Sequence, residues 1–318
     1  MIDGALTSQS DALERDGYLV LPGFFSNEQI DEVEAAVRCA CSERAMEIVI
    51  DDLVTGERTF YGLAAERERG WFKLNDLYLV VDEVRALALE ERLSELLRAL
   101  LHGQSPALCN TLTLMKGSNQ PMHIDSLFMT PPRPQQLVAS WIAFEDVQPE
   151  AGPLEYYPGS HKIPLYRFRD GSHHAAVDEL PQWTEYIFNE VKARELKKET
   201  FFARRGDVFI WHADLLHGGA NIRDPQKTRR SLVCHYFAES DVRAFPDWNL
   251  VPMNAGFWIN RPSQSVRAGP ERFDEAHPFP EKTYLRRHPD VRAAVAEGRI
   301  PSAFAHYREH GFAEGRGV

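Results

Sequence analysis

The sequence is poor in several things, and each shortage excludes a class of protein. Four cysteines in 318 residues are too few for a disulfide framework. Cys39 and Cys41 lie one residue apart in a segment of helical pattern, so they point to different sides and suit no zinc clip. Cys109 and Cys234 stand alone in apolar stretches, and free buried thiols in a reducing, cytoplasmic setting are the expectation. No apolar run approaches the roughly 20 residues that a membrane span needs. The opening Met1-Ile2-Asp3-Gly4 has neither a basic segment nor an apolar stretch after it, so no secretory signal is expected. Positive charge is in deficit: the formal net charge of −11 argues against a general nucleic-acid or anionic-membrane binder. There is also no internal repeat and no low-complexity linker, so nothing demands two units.

The rest of the composition, 43% hydrophobic and 26% charged, is ordinary for a globular chain long enough to bury one large core. The first third reads helical. Ser26 followed by Gln29 is a capping-box pattern, and Ile30, Val33 and Val37 recur behind it at helical spacing. A second helix is expected to begin near Asp82, carry Leu89, Leu93, Leu96, Leu97 and Leu100, and stop at Gly103. From residue 107 the pattern changes to short strands: 108–116, 137–144, 154–157, 208–211 and 231–237. Turn chemistry separates them at Gly117-Ser118-Asn119, Gly152-Pro153, Pro158-Gly159-Ser160 and Arg205-Gly206-Asp207. Mainly β with flanking helices, in a sandwich or jelly roll, is the implied class. The polar stretch 167–198 interrupts the strands, and its length suggests a mobile lid over a site.

His123-Ile124-Asp125 follows a strand and Pro121. In an extended segment, side chains two apart share a face, so an imidazole and a carboxylate can converge on one cation. A third ligand must come from elsewhere, and His217, beyond the strand at 208–211, is the best placed, with His212 its competitor. Two histidines and one carboxylate with open positions suit non-haem Fe(II). The H-x-D spacing alone is a weak signal in a chain with 12 histidines.

The surroundings are more specific. Asp16-Gly17-Tyr18-Leu19-Val20-Leu21-Pro22-Gly23-Phe24-Phe25 before a capped helix resembles the opening of the phytanoyl-CoA dioxygenase-like family. So does Trp141-Ile142-Ala143-Phe144-Glu145-Asp146, leading through Gly152-Pro153-Leu154 to Pro158-Gly159-Ser160-His161. A third block runs from Gly206-Asp207-Val208-Phe209-Ile210-Trp211 through His217-Gly218-Gly219-Ala220-Asn221 to Arg229-Arg230-Ser231. All three stand in the family's order across residues 11–238.

The resemblance implies a double-stranded β-helix (jelly roll, cupin-like) and an oxygenase that uses Fe(II), O2 and 2-oxoglutarate. By position, His123 and Asp125 match the proximal ligand pair and His217 the distal one. Arg229 matches the residue that meets the far carboxylate of 2-oxoglutarate, a task suited to a guanidinium, with Arg230 as the alternative. Trp141 matches a wall of the co-substrate pocket. Lys73, in Trp71-Phe72-Lys73-Leu74-Asn75-Asp76, matches a lysine that faces it, and Asn110, polar in an apolar strand, is a further co-substrate contact. His161, His212 and His235 are given structural roles.

The implied reaction is hydroxylation of an unactivated C–H of a small-molecule metabolite or natural-product intermediate, giving succinate and CO2. Desaturation, epimerisation or ring formation by the same oxidant is the alternative, as is an inactive jelly-roll binding protein. Halogenation, which usually dispenses with the carboxylate ligand, is disfavoured by Asp125. The expected organisation is one oxygenase unit over 1–280 with its insertion near 167–198, then a small helical appendage over 281–318. No nucleic acid and no membrane span are expected as partners, and the oligomeric state is left open.

Overall fold

The computed structural model describes residues 2–64, 70–131, 133, 136–243 and 248–318. The chain runs α1 (Ile2–Asp16), β1 (Tyr18–Leu21), α2 (Asn27–Glu43), β2 (Val49–Asp52), β3 (Arg58–Phe60), β4 (Phe72–Asn75), α3 (Asp82–Ala88), α4 (Glu91–Leu100) and β5 (Pro106–Leu114). It continues with β6 (Leu137–Ala143), β7 (Leu154–Tyr156), α5 (Leu180–Ala193), β8 (Glu199–Phe201), β9 (Val208–His212), β10 (His217–Gly219) and β11 (Ser231–Ala238). The last part is α6 (Glu239–Val242), β12 (Asn249–Met253), β13 (Gly256–Asn260), α7 (Glu281–Arg287), α8 (Pro289–Ala296) and α9 (Ala303–His306). Among the described residues no helix is long and apolar enough to cross a membrane.

The strands form a ten-stranded sheet in the order β1-β9-β6-β11-β5-β4-β2-β3, with the β12–β13 hairpin joined to β5, and a three-stranded sheet in the order β10-β7-β8. Pairing is antiparallel except where β13 meets β5. The central strands are apolar at nearly every position because both of their faces are covered. Val138, Ile142, Val208, Ile210, Leu232 and Tyr236 pack under the helices with Ile30, Val33, Leu93 and Leu97. Their neighbours Ala139, Trp141, Ala143, Phe209, Trp211 and Val233 point the other way and meet Leu154 and Tyr156 of the small sheet. The period-two alternation therefore sorts residues between two cores, one under the helices and one between the sheets.

Ser26 caps α2 with the reciprocal Gln29 bond that the sequence indicates. The helix expected to run unbroken from Asp82 is instead two. Glu90 turns its carboxylate onto the Leu93 amide at 3.0 Å and caps α4, so the leucine spacing bridges a break at Leu89–Glu90. Cys109 and Cys234 are buried free thiols, whereas Cys39 is exposed. Helices α7 to α9 close a separate cluster in which Tyr284, Val291, Ala303 and Tyr307 pack with Val49 and Phe60 at the β2–β3 edge.

The segment expected to be a mobile lid has a firm seat. Phe168 and the α5 residues Trp183, Ile187 and Val191 are buried against Ile124, Leu127 and Leu216, each within two residues of His123, Asp125 or His217. A helix with one apolar face docks because exposing that face costs more than ordering the segment. Trp183→Ala should lower stability by about 3–5 kcal/mol through the cavity it leaves, read as a shift in the denaturant midpoint.

Candidate metal centre and its pocket

His123 and His217 come together through one antiparallel bridge. The His123 amide donates to the His217 carbonyl at 2.8 Å, and the His217 amide returns the bond at 3.0 Å. Gly218 makes this approach possible: a Cβ there would lie 2.9 Å from the Gln120 carbonyl oxygen and 3.1 Å from the Met122 nitrogen. Ile124 is extended as expected, but Asp125 opens a 3-10 turn, Asp125–Leu127, which rolls its carboxylate toward both rings.

The three side chains converge. Asp125 Oδ1 lies 3.6 Å from His123 Nε2 and 3.7 Å from His217 Nε2, and one ligand atom from each residue falls within 4.8 Å of the others. His123 Nδ1 faces the Pro121 carbonyl at 2.8 Å and His217 Nδ1 the Leu215 carbonyl at 2.9 Å. A carbonyl only accepts, so each Nδ1 carries the proton and each Nε2 turns a lone pair inward, the tautomer a metal ligand needs. Gln120 Nε2 approaches the His123 lone pair at 3.1 Å. The second carboxylate oxygen, Asp125 Oδ2, accepts from Trp211 Nε1 at 2.8 Å and lies 3.4 Å from His235 Nε2.

Burial opposes charge on Asp125, yet His217, His235 and His123 around it hold its carboxyl well below the usual range. Burial pushes the His217 imidazole down to about 4, so both partners stand in their metal-binding forms at neutral pH. Two imidazoles whose Nε2 atoms turn inward and an ionised carboxylate on one side of a pocket fit a divalent iron ion, with space left for further ligands.

That pocket is narrow, about 80 Å³, and runs from the triad to Arg229 between Leu114, Trp141, Leu154 and Val233. Arg229 is 3% exposed. One of its nitrogens donates to the Gly152 carbonyl at 2.6 Å, Nε has no partner, and the guanidinium lies 5.9 Å from the Trp141 ring. Burial pushes its pKa down to about 10. Arg230 points away from the pocket, where Glu145 and Glu34 take its guanidinium. Lys73 lines the pocket too, with Nζ 3.8 Å from Asp51 Oδ2.

Asn110 corrects its expected role. Its amide is engaged at both ends, Nδ2 on Asp76 at 2.9 Å and Oδ1 toward His235 at 3.1 Å, and it is absent from the walls of the Arg229 pocket. His235, given a structural role from sequence, lines that pocket. His212 stands apart from the triad beside His161, and its Nδ1 accepts from the Asp214 amide at 3.0 Å. His161 fills the space over Gly17, where a Cβ would lie 2.4 Å from its Nδ1. Sequence reading missed Trp211 and Gln120 as partners of the ligands. Trp211 shares the parity of Phe209, and that inward face was the available signal.

A wider cavity of about 670 Å³ adjoins the pocket and shares Lys73 and Leu112 with it. Phe128, Met129, Phe237 and Trp248 give it an apolar wall; Arg58, Asn75, Asn110 and Arg261 give it a polar one.

Comparison with known proteins agrees with this geometry. The family model described as phytanoyl-CoA dioxygenase (PhyH) matches residues 13–231. The peroxisomal phytanoyl-CoA dioxygenase of Rattus norvegicus is 24% identical over 234 residues, which cover 70% of this chain and 65% of the rat protein. That of Bos taurus is 28% identical over 127 residues, covering 38% of this chain and 34% of the bovine one. The match thus spans less than two thirds of either relative. Among solved structures, the non-haem alpha-ketoglutarate-dependent epimerase SnoN from nogalamycin biosynthesis superposes with a TM-score of 0.55 at 21% identity, over 81% of this chain and 99% of its own. EctD from S. alaskensis, solved with 2-oxoglutarate and 5-hydroxyectoine, gives 0.52 at 18% identity, over 78% and 79%. These likenesses establish a shared fold. The family model reaches from the end of α1 into β11, so it takes in both histidines, the aspartate and the arginine: the chain belongs to the phytanoyl-CoA dioxygenase (PhyH) family.

Proposed function

We propose that this protein is an Fe(II)- and 2-oxoglutarate-dependent oxygenase that hydroxylates a C–H bond of a small molecule. One observation carries the reading: a buried guanidinium without a carboxylate partner among the described residues closes a narrow pocket whose other end is a His–Asp–His triad. His123, Asp125 and His217 would hold the iron. Arg229 would hold the far carboxylate of 2-oxoglutarate, with Lys73 beside it and Trp141 as a wall. With O2, iron and 2-oxoglutarate held there would supply an oxidant strong enough to break a C–H bond, one oxygen atom going into succinate as 2-oxoglutarate loses CO2 and the other into the product.

The chain's own part is ligation, orientation and dryness. The Gly152 carbonyl fixes the Arg229 fork, and Leu114, Leu154 and Val233 keep water from the pocket. A volume of about 80 Å³ admits only a small acid there, so the substrate occupies the wider cavity of about 670 Å³, a size typical of small-molecule sites. That cavity shares Lys73 and Leu112 with the pocket, and its Phe128 lies beside His123, which supports a substrate bound there reaching the metal site. The fold is read as a double-stranded β-helix over 1–280, with 281–318 as a docked appendage. Solved structures similar in fold include an epimerase and a carbocyclase, SnoN and SnoK, so epimerisation or ring formation is the second reading.

The test is succinate formation from 2-oxoglutarate with Fe(II) and O2, first without substrate and then across a metabolite panel, with mass detection of a product that has gained one oxygen. No succinate from the iron-loaded protein would favour an inactive binding protein. Phe128, 51% exposed and 6.2 Å ring to ring from His123, should contact the substrate. Phe128→Ala should raise the substrate KM about tenfold or more, as expected for losing about 1.5–3 kcal/mol of burial, and leave substrate-free succinate formation unchanged.

A further inference from the structure

Four side chains outside the ligand set form a continuous line to Asp125. Arg261 donates to Asp76 Oδ2 at 2.8 Å, Asn110 Nδ2 donates to Asp76 Oδ1 at 2.9 Å, Asn110 Oδ1 faces His235 Nδ1 at 3.1 Å, and His235 Nε2 lies 3.4 Å from Asp125 Oδ2. We propose that His235 is a positioning residue that fixes the Asp125 carboxylate for the metal, and that Asn110, Asp76 and Arg261 exist to aim it. The inference rests on the metal-site reading above and adds to it.

The polarity of the line is set from its far end. Asp76 is 1% exposed and its carboxylate can only accept, taking Arg261, Asn110 and the Thr111 amide as donors. Asn110 must therefore turn its NH2 toward Asp76 and its carbonyl toward His235. That makes Nδ1 of His235 a donor, and Nε2 also faces an acceptor, the Asp125 carboxylate, so the contact is made with both ring nitrogens donating and the ring cannot flip without losing one of them. Trp211 already holds Oδ2 from one side at 2.8 Å. A second contact from His235 stops the carboxylate rotating and keeps Oδ1 turned to the two ligand histidines.

The backbone is bent to make this line. Asp76 adopts a left-handed conformation, φ 54°, which costs a non-glycine residue on the order of 1 kcal/mol. The pairing of β11 with β5 slips between His235 and Tyr236, leaving Cys109 as an extra residue beside Asn110. Bulges of this sort re-aim side chains next to active sites. A buried carboxylate on a strained backbone and a broken register thus meet at the partner of one imidazole.

The experiment uses the full-length protein, free of metal and 2-oxoglutarate, titrated with Co(II), whose visible spectrum reports ligand geometry. His235→Leu should weaken Co(II) binding about 10- to 100-fold, the usual effect of losing a partner behind a ligand, and change the spectrum. His235→Gln, which can still donate to Asp125, should recover part of both. Asn110→Ala, whose side chain borders the wide cavity so that water can replace it, should shift both in the same direction while the metal-free protein melts near the wild type. Wild-type Co(II) affinity and spectrum in folded His235→Leu would overturn the proposal. If that variant does not fold, the same result in Asn110→Ala overturns it. Failure of the wild type itself to bind Co(II) would instead remove the metal-site reading and this one with it.

Discussion

His217→Ala should abolish Fe(II)-dependent succinate formation and reduce bound iron below detection, while His212→Ala leaves both intact. The two histidines lie five positions apart around the same turn, and both are buried. Only His217 brings Nε2 to within 3.7 Å of Asp125 Oδ1. His212 spends Nδ1 on the Asp214 amide, and its ring lies against His161 at 5.4 Å. The loss in His217→Ala belongs to the site and not to the fold, because the bridge to His123 is made by backbone and survives the substitution. Melting of the metal-free variant should therefore stay near the wild type. Asp125→Ala and His123→Ala should match it in iron content. If His212→Ala loses iron and His217→Ala keeps it, the triad has been assembled from the wrong histidine.

The cluster of His123, Asp125 and His217 was legible because period-two geometry and a family block act at the same place. His123-Ile124-Asp125 needs only an extended Ile124 to share a face, and the structure supplies it, although Asp125 itself has already entered a turn. The choice between Arg229 and Arg230 was open in sequence, since neighbouring residues point oppositely and the register was not fixed. In the structure, Glu145 and Glu34 draw Arg230 outward, and both acids are remote in sequence. The same remoteness hid the role of His235. Its parity pointed inward, but its meaning depends on Asn110, Asp76 and Arg261, which come from β5, from the turn after β4 and from beyond β13. The segment 167–198 reads polar and partly helical, and the seat of its helix shows only in Trp183, Ile187 and Val191, which recur at helical spacing and bury one face. The break at Leu89–Glu90 was hidden because α3 and α4 both follow an apolar period, and a side-chain cap leaves little trace in that period.

Arg229→Met should weaken 2-oxoglutarate binding by about 10²- to 10³-fold or more, since breaking a buried charge pair costs about 3–5 kcal/mol. It should also leave the ligand-free protein as stable as the wild type, or more so. The second outcome separates a binding residue from a structural one. Without co-substrate, Arg229 is a buried cation whose one strong contact is a neutral carbonyl, and its Nε has no partner. Burial lowers its pKa to about 10, so the folded state holds the charge less readily than the unfolded chain does. The sign follows: the penalty is present in full below that pH and lifts only as pH rises past it. At neutral pH the charge therefore works against folding, by an amount on the order of a few kcal/mol. Methionine fills similar volume without that cost. Arg230→Ala, by contrast, removes a partly exposed pair with Glu145 and Glu34 and should leave 2-oxoglutarate affinity unchanged. Anaerobic titration of the Fe(II) protein with 2-oxoglutarate, followed by its visible charge-transfer absorption, measures the first effect, and urea denaturation of the metal-free protein measures the second. Should Arg229→Met unfold at lower urea than the wild type while binding 2-oxoglutarate normally, the guanidinium is a strut between Gly152 and Trp141, and the co-substrate lies elsewhere.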